Sequence, residues 1–312
     1  MGRPQVPDST AFAERRAGEI DGAYVRRTPG GYTVTDGGKV VLVYNRDPIS
    51  RSGGDHKRGH YIHPLYGLDG QRMTDDMPGD HLHHRGVFWA WTQLWIGEKR
   101  IGHPWEQKGM IWDVRDVKIT NHDGIAELRA HVLWKSPLWV NARKRQRPIV
   151  DEVTVIRVHP VSDDARAIDF EISLRALAAK VRLGGSMNTK GYGGFSVRIP
   201  LPGDLRIEGP GGTLAPDLKK PTRPAPWVDF SGTFGGTRGP SGLTILCHPD
   251  TPGSPPGWTI RRKNSCQNPV YPGQHPVDLS TDEPLVLRYR VVLHRSGFEA
   301  TRMKRLFEEY GK

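Results

Sequence analysis

The sequence predicts an all-β protein, a large antiparallel β-sandwich with few short helices. Three observations lead to this fold class. Apolar and polar residues alternate over many segments, turn signals such as "TDGG", "NHDG" and "LPGD" separate those segments, and helical periodicity is rare. The 37 glycines and 26 prolines are scattered between apolar runs, which indicates turns rather than disorder. A chain of 312 residues is long enough to bury a sizeable core.

The clearest predicted strand is "RAIDFEISLRAL", in which Ile168, Phe170, Ile172 and Leu174 alternate with polar residues. That alternation is typical of an antiparallel strand with one buried face. The segment "LVLRYRVVLHRS" repeats the pattern, and further strands are predicted in "GKVVLVYNR", "IAELRAHVLWKS", "VDEVTVIRVHP", "GFSVRIPL" and "GLTILCHP". We therefore expect two packed antiparallel sheets.

Helical patterns are confined to two segments. The end of the chain, "GFEATRMKRLFEEYGK", predicts a short amphipathic helix whose apolar side is formed by Met303, Leu306, Phe307 and Tyr310. Residues 9–20 are a second candidate helix. Neither a repeat of fixed period nor a linker-like tract divides the chain. We therefore predict one β-sandwich domain over residues 1–312, with a short N-terminal extension of about residues 1–30.

The chain is basic, with 45 Lys and Arg against 34 Asp and Glu and a formal charge of +11. Such an excess favours anionic partners, from nucleic acid to acidic sugars. The dense basic block "NARKRQRP" at 141–148 lies between two predicted strands and matches no nucleic-acid-binding motif. It is predicted to be a solvated hairpin tip, and no nucleic-acid partner is predicted.

The hydropathy pattern bears on location. No apolar run approaches the length that is needed to cross a membrane, so no membrane partner is predicted. The opening "MGRPQVPDSTAFAERRAGEI" contains no uninterrupted apolar segment of the signal-peptide type, which predicts a cytoplasmic protein. The oligomeric state is not indicated by any pattern in the sequence.

The segment "GDHLHHRGVFWAW", residues 79–91, places one acid, three histidines and an arginine directly before an aromatic run. If the segment is extended, alternate residues face opposite sides of a sheet. One side would carry Val87, Trp89 and Trp91 with His81, His83 and Arg85, and the other Phe88 and Ala90 with Asp80 and His84. The polar cluster would then lie at the entrance to a strand, where a rigid sheet holds loop residues in place.

This cluster suits acid/base chemistry, because imidazole titrates close to neutral pH. Either His83 or His84 could transfer a proton to or from a substrate. Asp80 could orient one of the rings through its Nδ1 atom, and Arg85 could hold an anionic group by two parallel hydrogen bonds.

Two other interpretations of the cluster stay open. The H-x-H spacing of His81 and His83 could chelate a divalent metal, with a third ligand from elsewhere such as His63 or His248. Alternatively, the cluster is a polar hydrogen-bond network that ties a loop to the sheet.

Other residues in the chain suit the binding of a sugar. The apolar face of a pyranose ring stacks on an aromatic side chain, and its hydroxyls form hydrogen bonds with polar groups. The residues predicted to bind substrate are His63, Trp89, His248, Trp258, Arg261 and Asn268, with Trp89 and Trp258 as the stacking platform.

Four blocks of sequence occur in the order of the motifs of a known family. The first comprises Pro64, Leu65, Tyr66, Gly70, Thr74, Asp80, His81, His83, His84, Arg85, Phe88 and Trp89. The second comprises Thr189, Lys190, Gly194 and Arg198, and the third Trp227, Asp229, Ser231 and Gly232. The last comprises His248, Pro249, Pro252, Pro255, Trp258, Arg261, Asn268 and Pro269. Through these blocks the chain resembles the bacterial family labelled "methane oxygenase PmoA".

The resemblance implies a galactose-mutarotase-like supersandwich and a role in carbohydrate chemistry. It also implies that Lys190 belongs to the site, where it would stabilise developing negative charge together with Arg85 and Arg261. The activity in the family label is not predicted for this chain. The methane monooxygenase subunit is an integral membrane protein, and this sequence has no hydrophobic span.

We therefore expect a carbohydrate-active enzyme, a lyase, hydrolase or epimerase that acts on a glycoside or an oxidised sugar by histidine-centred acid/base chemistry. No acidic pair stands out in the matched blocks, which favours elimination, hydration or epimerisation over hydrolysis by two carboxylates. Two alternatives stay open: a non-catalytic sugar-binding module, and a metal-dependent oxygenase that uses His81 and His83. Only the oxygenase would need a cofactor, a divalent metal.

Overall fold

The computed structural model describes residues 22–51, 54–235, 239–262, 266–297 and 299–312. Within these ranges the chain forms twenty-one β-strands and one α-helix, so the prediction of an all-β fold with a C-terminal helix is confirmed. The candidate helix over residues 9–20 and most of the predicted N-terminal extension lie outside the described residues. The first described strand already begins at Ala23.

The strands are, in chain order, β1 (Ala23–Thr28), β2 (Gly31–Asp36), β3 (Lys39–Asn45), β4 (Tyr61–Leu65), β5 (Val87–Ala90), β6 (Gln93–Ile96), β7 (Lys99–Gly102), β8 (Ile111–His122), β9 (Ile125–Val140), β10 (Gln146–Val158), β11 (Ala165–Ala176), β12 (Val181–Gly184), β13 (Gly194–Arg198), β14 (Arg206–Gly209), β15 (Gly212–Thr213), β16 (Trp227–Gly232), β17 (Ser241–Cys247), β18 (Trp258–Thr259), β19 (Cys266–Pro269), β20 (Val277–Leu279) and β21 (Leu285–Arg295). A short 3-10 helix, Pro104–Glu106, lies between β7 and β8, and the helix α1 spans Ala300–Tyr310.

These strands form two large sheets and one small sheet, and the pairs within them are antiparallel. Sheet A has eight strands in the spatial order β1-β2-β3-β4-β5-β13-β19-β18. Sheet B has nine strands in the order β15-β14-β16-β17-β21-β11-β10-β9-β8. The small sheet C has the order β20-β12-β6-β7. The predicted pair of large antiparallel sheets is thus confirmed.

The main core lies between sheets A and B. On β11 the predicted alternation holds, and the apolar positions Ile168, Phe170, Ile172 and Leu174 are all buried. On β5 of sheet A, Val87 and Trp89 join the same core. The intervening residues of β5, Phe88 and Ala90, belong to a second cluster with Trp105 on the other face of sheet A. Both faces of β5 are therefore buried, and its residues alternate as predicted.

The C-terminal helix α1 packs beside sheet B. Its Met303 is buried in a cluster with Trp227, Leu246 and Val292, as expected for the apolar side of an amphipathic helix. The other predicted apolar residues, Leu306, Phe307 and Tyr310, are partly buried in the same cluster. The described residues contain no helix that is long and apolar enough to cross a membrane.

A buried carboxylate connects the two large sheets. Glu152 on β10 is fully buried, and its Oε1 accepts hydrogen bonds from Trp89 Nε1 at 2.6 Å and Thr154 Oγ1 at 2.6 Å. His60 Nε2 lies 2.7 Å from the same oxygen, and Trp134 Nε1 donates to Oε2 at 2.6 Å. Burial opposes ionisation, but His60 and the hydrogen-bond donors lower the pKa of Glu152 below its ordinary value. The ionised side chain therefore links β10 to β5 and to the residue before β4.

Removing this carboxylate should destabilise the whole fold. We expect Glu152→Ala to lower the free energy of unfolding by about 3–5 kcal/mol, since it leaves buried donors without an acceptor. Glu127 on β9 is the control, because its ion pair with Arg157 is partly exposed and Glu127→Ala should cost about 1 kcal/mol or less. Urea unfolding followed by tryptophan fluorescence measures both. Equal losses in the free energy of unfolding of the two variants would contradict the role of Glu152 in holding the two sheets together.

Candidate functional site

The candidate site lies at the part of sheet A where β5, β13, β19 and β18 are neighbours. A cavity of about 430 Å³ opens there, and we call it the histidine cavity. Its lining residues are His81, His83, His84, Trp105, Glu106, Lys190, Tyr192, Thr259, Arg261, Cys266 and Asn268. They come from the loop before β5, the 3-10 helix, the loop before β13, the strands β18 and β19, and the segment that follows β18. Segments that are distant in sequence meet because their strands are adjacent.

Two successive turns bring the three histidines together. The backbone N–H of His81 donates to the carbonyl of Pro78 at 3.0 Å, and that of His84 donates to the carbonyl of His81 at 2.9 Å. The rings of His81 and His84 are stacked with centroids 4.4 Å apart, and the ring of His83 lies 4.7 Å from that of His84. The predicted split of these histidines between two sides of an extended strand is therefore wrong, because the segment turns before β5 begins.

Asp80 and Arg198 organise the histidines. Arg198, at the end of β13, donates from Nη2 to both carboxylate oxygens of Asp80 at 3.0 and 3.1 Å. Asp80 Oδ2 in turn lies 2.8 Å from His81 Nδ1. Burial of Asp80 opposes its ionisation, but the hydrogen bonds from His81 and Arg198 lower its pKa to about 2. Asp80 is thus an orienting carboxylate as predicted, but the ring that it orients is His81 and not His83 or His84.

The same arginine determines the tautomer of His84. Arg198 Nη1 lies 3.0 Å from His84 Nδ1, and since a guanidinium only donates, Nδ1 must be the acceptor. A neutral His84 therefore carries its proton on Nε2. This atom has no hydrogen-bond partner among the described residues, so it is free to donate to a ligand in the cavity.

Burial and like charge keep two of the histidines neutral. Burial is the main cause that lowers the pKa of His84 to about 2, and the neighbouring His83, His81 and Arg198 lower it further. Burial also lowers the pKa of His83 to about 4, with His81 as the next cause. At neutral pH, His84 is therefore a hydrogen-bond donor rather than a cationic acid.

Two cationic side chains line the histidine cavity. Lys190 and Arg261 were both predicted site residues, and neither lies within 4 Å of a carboxylate among the described residues. Arg261 Nη1 is positioned by the carbonyls of Asp217 at 3.0 Å and Ile260 at 2.7 Å. The one carboxylate in the lining, Glu106, is neutralised by Lys108 Nζ at 2.6 Å, which lowers its pKa. The cavity thus favours an anionic group.

Asn268 on β19 also lines the cavity, but its side chain is occupied by the protein. Its Nδ2 lies 2.6 Å from the carbonyl of Phe195, and its Oδ1 accepts from the backbone N–H of Gly193 at 3.2 Å. Gly193 and Phe195 flank the start of β13. Asn268 therefore fixes the strand that carries Arg198 and does not have a free amide for a ligand.

Aromatic side chains at the cavity come from residues that the sequence did not single out. Trp105, in the 3-10 helix, lies 4.9 Å from the ring of Tyr192, which follows Lys190 by two positions. The rings of Trp105 and His84 are also close to perpendicular, with centroids 6.0 Å apart. Desolvation raises the pKa of Tyr192, so its hydroxyl is protonated at neutral pH. The only feature of the sequence that could have pointed to Trp105 is its position in "HPWEQ", beside a proline and a glutamate.

The predicted stacking platform is not formed by Trp89 and Trp258. Both indoles are fully buried in the main core. Trp89 Nε1 donates to Glu152, and Trp258 Nε1 donates to the carbonyl of Ala225 at 2.8 Å. This corrects the prediction, because neither ring has a face that a sugar could reach. Trp105 and Tyr192 are the aromatic residues at the cavity.

Three further predicted residues lie away from the cavity. The guanidinium of Arg85 is fully buried, where Nη2 donates to the carbonyls of Ile49 and His56 at 2.8 and 2.5 Å, so it cannot hold a substrate anion. His63 on β4 lies 3.1 Å from Thr74 Oγ1. His248 packs its ring against Tyr310 of α1 at 5.0 Å. These placements correct the predicted substrate contacts of all three.

The described residues contain no group of three or more His, Cys, Asp and Glu side chains that is arranged to hold a metal ion. The rings of His81 and His83 are perpendicular, with centroids 5.6 Å apart. The candidate third ligands, His63 and His248, lie away from both. Within the described part of the chain, the H-x-H interpretation therefore lacks a donor set.

The fold and the site define an all-β protein with a polar, cationic cavity that is organised around an aspartate–histidine pair. By sequence, the chain belongs to a family of unknown function (DUF6807), whose model matches residues 32–308. A comparison with curated proteins finds no match. The resemblance to the family labelled "methane oxygenase PmoA" is not tested by these findings and stays a prediction.

Two solved structures are similar to this chain at low identity. One is a protein of Salmonella typhimurium assigned as a mutarotase (YeaD), 11% identical, with 88% of this chain and 94% of that chain covered and a TM-score of 0.37. The other is a protein of Klebsiella pneumoniae assigned as an aldose 1-epimerase, 11% identical, with 95% of this chain and 86% of that chain covered and a TM-score of 0.35. Scores in this range do not establish a shared activity.

The low pKa of His84 makes stability depend on pH. Between pH 6.5 and about 2 the unfolded chain binds a proton at His84 that the folded chain does not, so stability should fall as the pH is lowered below 6.5. The expected slope is about 1.4 kcal/mol per pH unit for this histidine. Urea unfolding at pH 7, 6 and 5 measures it. His84→Phe should reduce the slope by that amount, whereas His122→Phe, at an exposed position of β8, should not. An unchanged slope in His84→Phe would contradict the assignment.

Proposed function

We propose that this protein is a carbohydrate-active enzyme that removes a proton from the carbon next to the carboxylate of an acidic, oxidised sugar. The observation that carries the proposal is the convergence of the Asp80–His81 pair, neutral His84 and the cations Lys190 and Arg261 on one cavity. The cavity volume lies within the range of small-molecule sites, about 300–1,000 Å³.

In this proposal His81 is the general base. Asp80 holds Nδ1–H of His81, so Nε2 carries the lone pair that accepts a proton from the sugar. Arg198 keeps Asp80 ionised and in place, and therefore acts as a positioning residue. The pair follows the same logic as other histidines that are oriented by a buried or clamped carboxylate.

The remaining cavity residues suit the charge that develops on the sugar. Loss of the proton places negative charge on the oxygens of the substrate carboxylate, and Lys190, Arg261 and the Nε2–H of His84 are donors for those oxygens. Neutral His84 suits this task because it donates a hydrogen bond without a competing proton transfer. Tyr192, which is partly exposed, offers aromatic surface to the sugar ring, and the buried Trp105 packs against Tyr192.

Two outcomes share this first step. In elimination, the carbon–oxygen bond at the next carbon breaks, its electron pair stays with the leaving oxygen, and Tyr192 protonates that oxygen. Solvent then returns a proton to Tyr192 and removes one from His81, so the protons balance. In epimerisation, no bond to oxygen breaks. A proton from solvent adds to the opposite face of the carbon, and His81 loses the proton that it accepted to solvent, so the protons balance.

Replacing the base should remove the proton abstraction. We expect His81→Gln and Asp80→Asn each to lower kcat by about 10²–10⁴-fold, which is the usual contribution of a positioned acid or base. Deuterium uptake from D₂O at the carbon beside the carboxylate, followed by proton NMR on a panel of uronic acids and uronides, detects either outcome. His122→Gln is the matched control. Unchanged uptake in His81→Gln would refute the base, and binding without exchange in the wild type would favour a non-catalytic sugar-binding module.

Lys190 should provide selectivity for acidic sugars. We expect Lys190→Met to raise the dissociation constant for uronates by about tenfold, the cost of losing one charge-assisted contact, and to leave the binding of neutral sugars unaffected. Lys190→Arg should restore most of the affinity. Lys118→Met, on the exposed face of β8, is the control for the loss of one positive charge. Equal effects of Lys190→Met on neutral and acidic sugars would contradict a contact with the carboxylate.

A further inference from the structure

A second cavity adjoins the histidine cavity. It has a volume of about 740 Å³, and we call it the neighbouring cavity. Pro48, residues 54–57 and Gly59, in the loop between β3 and β4, form one side of it. Residues 106–108 and 110–112, from the 3-10 helix to the start of β8, form the other. Glu106 lines both cavities. The two spaces are therefore separated by a single layer of side chains.

That layer is held by hydrogen bonds from both sides. The ring of His56 stands 5.8 Å from the ring of His83, and His56 Nδ1 lies 3.3 Å from the carbonyl of Glu106. Gln107 Nε2 donates to the carbonyl of His83 at 3.0 Å. Arg85 Nη2 donates to the carbonyl of His56 and so ties the outer loop to the loop that carries the histidines. The neighbouring cavity is thus joined to the loop that carries His81, His83 and His84.

Two polar atoms of residues that line the neighbouring cavity lack partners within the described chain. They are Gln107 Oε1 and Trp112 Nε1, and both residues are buried. Gln107 also adopts a left-handed backbone conformation, with φ of 58°, which is uncommon for a residue other than glycine. Unpaired buried polar groups and such backbone strain recur at binding sites.

The two unpaired atoms are one acceptor and one donor. Gln107 Oε1 accepts a hydrogen bond, whereas Trp112 Nε1 donates one. Hydroxyl groups both donate and accept, so a hydroxyl-rich ligand could satisfy either kind after small side-chain movements. The rim carries opposite charges, Asp55 and Glu106 against Lys57 and Lys108, and so does not select strongly for one sign of charge.

We propose that the neighbouring cavity is a subsite for a second sugar residue of the same substrate, so that the enzyme acts on acidic saccharides of two or more residues. This inference rests on the proposed function, in which the histidine cavity holds the acidic residue that reacts. The chain of the substrate would cross the layer formed by His56, His83 and Glu106. The two cavities share this layer as a wall, so a ligand that contacts both cavities must pass over it.

Affinity for oligomers of different length tests the subsite. We would titrate one-, two- and three-residue oligomers of galacturonic and glucuronic acid calorimetrically into the His81→Gln protein, so that turnover does not obscure binding. We expect the two-residue oligomers to bind about tenfold tighter than the single residues, or better, because they add contacts in the neighbouring cavity. A third residue should add less.

A matched pair of variants locates that gain. Ile111 lines the neighbouring cavity, and Ile119 lies further along β8 away from both cavities; both are 41% exposed. Ile111→Trp should fill the cavity and abolish the advantage of two residues over one, with single-residue affinity unchanged. Ile119→Trp should leave the advantage intact. Thermal unfolding confirms that both variants fold.

The possible results separate the subsite from the proposed function. Equal affinities for one and two residues in the His81→Gln protein would overturn the subsite and leave the proposed function standing. The subsite would also be overturned if Ile111→Trp and Ile119→Trp had the same effect on the affinity advantage of two residues over one. No affinity for any uronate of any length would overturn the proposed function, and the subsite with it.

Discussion

The fold depends on one carboxylate that is buried between two sheets. An ionised group in the protein interior is costly unless donors surround it, and Glu152 has two indoles, a hydroxyl and an imidazole around its oxygens. Two of these donors, Trp89 and His60, belong to the sheet A side, while Glu152 itself is on sheet B. The network therefore fixes β5 relative to sheet B. Since the histidine loop leads directly into β5, the position of the cavity follows from an interaction that never meets the substrate.

The sequence predicted the fold class and much of the cavity, and it failed where local pattern does not determine tertiary contact. The alternation on β11 and β5 was sufficient to predict which side chains share a face, because successive side chains of a strand point to opposite faces. Proximity of His83, His84, Lys190 and Arg261 agrees with the predicted site, whereas the split of the histidines between two faces failed because two turns precede β5. A tryptophan in a core cannot be distinguished in sequence from one at a cavity. The sequence therefore predicts a stacking platform of Trp89 and Trp258 and does not single out Trp105.

Three imidazoles share a small space in this site because burial keeps two of them neutral, and Arg198 supports this arrangement. Rings with centroids 4.4–5.6 Å apart would repel one another if all were protonated. The guanidinium of Arg198 donates both to His84 Nδ1 and to Asp80, and so adds to the burial that keeps His84 neutral and, with His81, keeps Asp80 ionised. The positive charge that an acidic ligand needs is then supplied by Lys190 and Arg261, which line the same cavity. In the proposed function, Lys190 and Arg261 therefore supply the positive charge, whereas His81 transfers the proton.

The close stacking of His81 and His84 also limits which of the two rings can carry a positive charge. If His81 accepts a proton, the new positive charge lies against the stacked ring of His84, whose own protonation is disfavoured by burial and by Arg198. Only one of the two stacked rings can therefore be charged at a time, and the proton must leave from His81. Asp80 stabilises that charged state because it remains ionised, with a pKa of about 2. Under the proposed function, the proton taken from the substrate therefore enters and leaves through His81 Nε2, while the neutral His84 ring beside it is the hydrogen-bond donor.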